Sequence, residues 1–193
     1  LTARGKVDLV IPRGSASLIR MVVDEATVPT IETGAGVCHV YIDAAADLAK
    51  ALPIVLNSKT HRPSVCNAAE TVLIHTSIAG KFLPTLLTSL HSAGVVLHVD
   101  PAVEVVAKTL DIDVTQATTE NWGTEYGVLE MNVGIVDSLE SAVDHIATFG
   151  TQHTEAIVTE DKESARKFVA MSDCAAVMVN ASTRFTDGEQ MGF

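Results

Sequence analysis

Short runs of branched aliphatic residues recur along this chain: VDLVI at 7–11, VCHVYID at 37–43, TVLIH at 71–75, VVLHV at 95–99, EAIVTE at 155–160 and AAVMVNAS at 175–182. Helical patterns stand between most of them, as in LIRMVVDEA at 18–26, IAGKFLPTLLTSLHSAG at 78–94, PAVEVVAKTL at 101–110, SLESAVDHIATFG at 138–150 and DKESARKFVAM at 161–171. Strands that are apolar along their length, rather than at every second residue, are buried on both faces. Their alternation with helices predicts an α/β fold with a parallel sheet covered on both sides. Hydrophobic residues make up 47% of the 193 residues and aromatic ones only 4%, so the core must be built from Val, Ile, Leu and Ala.

Several boundaries are marked by local chemistry. Pro12 ends the first run, and Arg13-Gly14-Ser15 then forms a turn before a helix, where exposed backbone N–H groups either meet the polar end of a ligand or simply connect two elements. Val28–Ile31 reads as another short strand. Gly34 and Gly36 free the chain to cross from one lobe to another, with units expected at 1–34 and 35–193. Pro53 is expected to kink or divide the helix over 44–60. Asn67–Thr71 reads as a helical turn, Asp111–Asn121 as a loop or edge segment, and 124–136 as strand. The opening LTARGKVDLVIP reads as the middle of a fold.

The chain carries 13 basic against 24 acidic residues, a net charge of −11, which argues against nucleic acid as a partner because phosphate backbones require a basic surface. Cys38, Cys66 and Cys174 are odd in number and form no CxxC pair, which favours a reducing, cytoplasmic setting. No apolar run is long enough for a bilayer, so no membrane partner is expected. The seven histidines show no metal-ligand spacing, and no metal is expected.

Chemistry concentrates in KTHRPSVCNAAET, Lys59 to Thr71. Cys66 follows a proline and precedes residues that favour helix, and Lys59 and Arg62 lie just upstream. A helix N-terminus and nearby cations both lower a thiol pKa, which would make Cys66 a reactive thiolate. Lys59 and Arg62 either hold a substrate carboxylate or phosphate, or form a solvated face. Cys38 and Cys174 sit in apolar contexts and read as core.

RPSVCNAAET at 62–71, GVCHVYID at 36–43 and VNASTRFTDG at 179–188, in this order and spacing, resemble the glutamate-5-semialdehyde dehydrogenase (gamma-glutamyl phosphate reductase) family of the aldehyde dehydrogenase superfamily. The resemblance covers nearly the whole chain and implies a partial family member: the catalytic lobe plus the end of a Rossmann-like cofactor lobe. It implies NADPH-dependent reduction of L-glutamyl 5-phosphate through a cysteine thioester, in proline biosynthesis. Cys66 matches the nucleophile, and the backbone amides of Cys66 and Asn67 would face the developing oxyanion. Ser182, Thr183 and Arg184 match the substrate-side loop, with Arg184 on the α-carboxylate. Glu125 matches the carboxylate that contacts the nicotinamide ribose, and Gly14 and Ser15 match the adjoining Gly-Ser turn. Glu32 falls where hydrolytic relatives carry a water-activating base, although a structural carboxylate fits as well. A homo-oligomer and functional coupling to glutamate 5-kinase are further implications. Two other functions use the same residues differently: a cysteine acyltransferase or hydrolase without nicotinamide, and a non-catalytic assembly domain.

Overall fold

The computed structural model describes residues 2–14, 16–31 and 34–186, which form two compact units, Leu1–Ala35 and Gly36–Phe193. In the first, helix α1 (Ala16–Glu25) stands between two extended segments that share one parallel bridge, Val10 with Thr30. Val7–Ile11 is therefore not the doubly buried strand expected from its composition: Val7, Leu9 and Ile11 are exposed. Burial on two faces needs sheet neighbours and a layer on each side, and among the described residues this unit supplies one short partner and one helix. Gly14, just before α1, adopts φ +145°, and a Cβ there would lie 2.7 Å from Leu18 Cδ2. Ser15 and Glu32 lie outside the described residues.

The second unit is a seven-stranded, all-parallel sheet. Its strands are β1 (Cys38–Ile42), β2 (Ala69–His75), β3 (Val96–Val99), β4 (Thr115–Gln116), β5 (Glu130–Val136), β6 (Thr154–Val158) and β7 (Ala176–Val179), in the spatial order β4-β3-β5-β2-β1-β6-β7. Helices α2 (Leu48–Thr60), α3 (Thr76–Ser92) and α4 (Pro101–Thr109) pack on one face, where Val55, Phe82, Leu86 and Leu90 meet Val40, Val72, Ile74 and Val133. On the other face Leu139, Val143 and Ile146 of α6 (Leu139–Phe149) and Phe168 of α7 (Lys162–Met171) meet Tyr41, Leu73 and Ile157. The period-two switch of side chains along each strand feeds two aliphatic cores from one sequence.

Helix starts follow their capping chemistry. Asp47, Asp100, Ser138 and Asp161 each accept backbone N–H bonds at the head of α2, α4, α6 and α7. α2 runs through Pro53 as a single helix rather than two pieces, and Pro53 lies on its exposed side, where a carbonyl left without its N–H partner can meet water. Over 111–136 the strand is confined to β5, preceded by edge strand β4 and by the short helix α5 (Thr119–Trp122).

Asn67–Thr71 is not helical. Ala69 already belongs to β2, and all of Asn67–Ile74 is buried. The two alanines read as helix formers, but they continue into Thr71–Ile74, whose β-branched residues pair on both sides with β1 and β5. Tertiary pairing overrides their local preference.

Candidate active site

In a parallel sheet, neighbouring strands begin at the same edge. The turn holding Cys66 immediately precedes β2, Cys38 opens the adjacent β1, and His153 immediately precedes β6 on the far side of β1. Residues far apart in sequence therefore meet at one edge of the sheet.

Cys66 is exposed, as a nucleophile must be. It occupies a turn leading into a strand, so the helix N-terminus invoked from its sequence context does not exist there. Its main chain is instead fixed from β1. The Cys38 thiol donates to the Cys66 carbonyl oxygen at 3.2 Å, and Gly36 lies so close that a Cβ would come within 1.6 Å of the same oxygen. Burial, reinforced by the charge of Glu155, raises the Cys38 thiol well above its ordinary range, which keeps its proton in place for this bond. His153 Nδ1 lies 3.9 Å from the Cys38 sulfur and 2.8 Å from Thr154 Oγ1.

The segment after β7 returns to this edge. Asn180, at φ +54°, reverses the chain, and its side-chain amide bonds to both the N–H and the carbonyl of Thr159. A short 3₁₀ turn, Thr183–Phe185, then brings Thr186 to Thr154, their hydroxyls 3.0 Å apart. Asn67 clamps the return: its Nδ2 donates to the Thr186 carbonyl at 2.8 Å and its Oδ1 accepts from the Arg184 guanidinium. Ser58 Oγ of α2 donates to Ser182 Oγ at 3.0 Å and accepts from the Thr183 N–H at 3.3 Å.

The structure thus joins Cys66 and Asn67 to Ser182, Thr183 and Arg184. Thr183 and Arg184 are buried, yet Thr183 Oγ1 and Arg184 Nε have no hydrogen-bond partner among the described residues. Unpaired buried donors are costly, at about 1–3 kcal/mol each, and their presence beside a cleft marks a place where a polar ligand is expected. A cleft of about 530 Å³ does open between α2 and this segment, lined by Asn57, His61, Ser182, Arg184 and Phe185 among others.

Lys59 is not available to a substrate. Its side chain is 0% exposed and its ammonium lies 2.5 Å from the equally buried Glu70 carboxylate. The stripe of α2 that carries it faces the sheet, so the long side chain runs inward. Burial drives both groups toward their neutral forms, Glu70 up to about 7 and Lys59 downward. Arg62 is exposed in the turn between α2 and Cys66. Glu125 is exposed and close enough to Glu70 and His153 for its charge to act on both. Gly14 belongs to the first unit.

Cys38, Gly36, His153, Thr186 and Glu70 join this cluster around Cys66 and Asn67 and are candidate site residues that the motifs did not single out. The signal was available only through topology: once β1, β2 and β6 are neighbours in a parallel sheet, the residues at their starts must converge. Cys174 is half-buried in the turn before β7, its thiol bonded to the Ala176 carbonyl, rather than part of the core. Among the described residues no cluster of His, Cys, Asp and Glu is arranged to hold a metal ion, and no helix is long and apolar enough to cross a membrane.

The three thiols differ in environment, and alkylation will separate them. Iodoacetamide near neutral pH is expected to label Cys66 at least about tenfold faster than Cys38, which burial holds protonated. Equal labelling, read by peptide mass spectrometry, would contradict the exposed placement of Cys66.

No family model matches the chain. It is 57% identical over 192 residues to a gamma-glutamyl phosphate reductase from Kineococcus radiotolerans, a match that takes in 100% of this chain and 44% of that protein. Among solved structures, a gamma-glutamyl phosphate reductase from Thermotoga maritima superimposes with a TM-score of 0.91 at 46% identity, covering 100% of this chain and 45% of that one. A glyceraldehyde-3-phosphate dehydrogenase from Methanocaldococcus jannaschii, complexed with NADP, shares the fold at a TM-score of 0.75 and 18% identity over 95% of this chain and 48% of its own. The chain is homologous along its length to gamma-glutamyl phosphate reductases and spans just under half of the relatives it matches.

Proposed function

We propose that the protein containing this chain reduces L-glutamyl 5-phosphate with NADPH to glutamate 5-semialdehyde and phosphate, a step of proline synthesis, and that residues 36–186 supply its catalytic lobe. The observation that carries this is the exposed Cys66, main chain anchored, linked through Asn67 to a buried arginine with an unpartnered nitrogen beside an open cleft. The 57% identity to a gamma-glutamyl phosphate reductase supports the substrate assignment.

The Cys66 thiolate attacks the acyl carbon, the sulfur–carbon bond forms and phosphate departs with the electrons of the carbon–oxygen bond. NADPH, when bound, would supply the hydride that reduces the resulting thioester. Collapse of the reduced adduct releases the aldehyde and returns the thiolate. Asn67, immobilised by Thr186 and Arg184, keeps the two amides at the nucleophile turned toward the developing oxyanion. Arg184 Nε and Thr183 Oγ1 receive the α-carboxylate of the glutamyl group. Arg62, exposed upstream of Cys66, meets the departing phosphate.

Glu125 fits a nicotinamide ribose: an exposed carboxylate accepts two hydroxyl hydrogen bonds, and its charge already acts on groups around Cys66. Gly14 and Ser15 would contribute from the first unit, the end of the cofactor domain. Cytoplasmic location, pairing of copies through an edge strand and action alongside glutamate 5-kinase belong to the same function.

The full-length protein, supplied with glutamate semialdehyde and NADP, is expected to form NADPH beyond one equivalent per site only when phosphate is present. Given an acyl phosphate and NADPH instead, acyl release with no loss of nicotinamide absorbance would point to a hydrolase and overturn the proposal. Arg184→Lys is expected to raise the semialdehyde KM about tenfold and leave the NADP KM within about twofold, because lysine cannot reproduce the planar donor set. An unchanged semialdehyde KM in steady-state assays would remove Arg184 from the substrate site.

A further inference from the structure

Two buried ionisable side chains, one acidic and one basic, bracket Cys66. Lys59 lies in the last turn of α2 just before the Cys66 turn, Glu70 is the second residue of β2 just after it, and their Nζ–Oε2 contact closes the base of that loop. Both side chains are 0% exposed. The placement of Glu70 is built into the sheet: Cys38 pairs with Ala69 but His39 pairs with Thr71, so Glu70 is the extra residue of a bulge in the β1–β2 ladder. Bulges of this kind redirect side chains beside functional sites.

The second carboxylate oxygen has a different partner. Oε1 accepts the backbone N–H of Gly127 at 3.4 Å, two residues beyond Glu125. The Lys59 ammonium lies 6.0 Å from the ring of Tyr126, whose hydroxyl donates to Asn132 on β5. One buried carboxylate thus touches both the loop carrying the nucleophile and the segment carrying Glu125.

We infer that the Lys59–Glu70 pair is a positioning device that holds the Cys66 loop and the Glu125 segment in register, so that thioester and hydride donor meet in line. The role rests on the reductase function proposed above. Neither side chain touches a reacting atom. Each acts through a loop: Lys59 fixes the arm that enters the Cys66 turn, and Glu70 fixes both the arm that leaves it and the amide of Gly127. The arrangement also requires a carboxylate, because both oxygens accept. Glutamine offers one acceptor and would set an N–H₂ group against one of the two donors.

The test uses the full-length protein and the variant Lys59→Met/Glu70→Leu, which removes both buried charges together and so avoids stranding one of them. With the thermal midpoint confirming a folded protein, kcat/KM in the semialdehyde direction is expected to fall at least about tenfold, with the NADP KM rising. Amide exchange is expected to accelerate at 61–68 and 124–127 together. A folded double variant with the parent's kinetic constants and exchange in both segments would reduce the pair to a stabilising contact and overturn the proposal. If the double variant does not fold, Glu70→Gln is read in the same two ways, with the same outcomes. If the parent itself shows no reductase activity, the assigned reaction fails, and exchange alone decides the brace: joint loosening upholds it and any other pattern overturns it.

Discussion

Cys66→Ala in the full-length protein is expected to lower kcat for semialdehyde oxidation by at least about ten-thousandfold, or roughly 5 kcal/mol of barrier, while the protein stays folded. The side chain is exposed, so its loss leaves no cavity, and the effect falls on the covalent step. Cys66→Ser should be nearly as inactive. A serine needs a base to take its proton, and the nearby imidazole of His153 is engaged with Thr154 Oγ1 at 2.8 Å and lies 3.9 Å from the Cys38 sulfur. Steady-state kinetics with a thermal-unfolding control read both variants. Serine turnover near the parent rate would remove the thioester from the mechanism.

Gly36→Ala should have the second largest effect for a purely steric reason. The added methyl would sit 1.6 Å from the Cys66 carbonyl oxygen, 2.4 Å from its carbon and 2.7 Å from its Cα, all backbone atoms with no rotamer by which to escape. Either β1 or the Cys66 turn must move. Overpacking of this sort costs about 1–3 kcal/mol or more in stability. Displacing the nucleophile by as little as an ångström is expected to cost about a hundredfold in kcat/KM. Cys38→Ala, which removes the thiol bond to the same carbonyl and a small buried sulfur without forcing main-chain movement, should cost far less. A Gly36→Ala protein with parental kcat/KM and thermal midpoint would show that the close approach does not fix the turn.

These expectations divide between what residue order reveals and what only assembly reveals. The largely apolar runs at 37–43, 71–75 and 155–160 form strands buried along nearly their whole length, so the parallel sheet was legible without coordinates, whereas Val96 in the run at 95–99 is exposed. Cys66 was legible from its neighbours. The helix N-terminus expected beside it does not form, because Ala68 and Ala69 favour helix in isolation and only pairing with β1 and β5 makes that stretch a strand. Lys59 misled in a related way. A lysine near a nucleophile suggests an anion site, but the inward face of α2 and the bulge that turns Glu70 toward it are properties of the packed sheet. Cys38 and His153 carry no local mark of function, since they reach the site only because β1 starts beside β2 and β6 beside β1. The return of 180–186 depends on one left-handed asparagine, a conformation that sequence alone does not announce.

The central claim is that the Cys66 sulfur carries the glutamyl group as a thioester. Its most direct test is to incubate the full-length protein with glutamate semialdehyde and NADP in the absence of phosphate, quench in acid and examine the peptides by mass spectrometry. A glutamyl adduct is expected on the peptide containing Cys66, and on neither Cys38 nor Cys174, and it should disappear when phosphate is added before the quench. An active enzyme that accumulates no adduct at Cys66, or one whose adduct forms on another residue, would contradict the account.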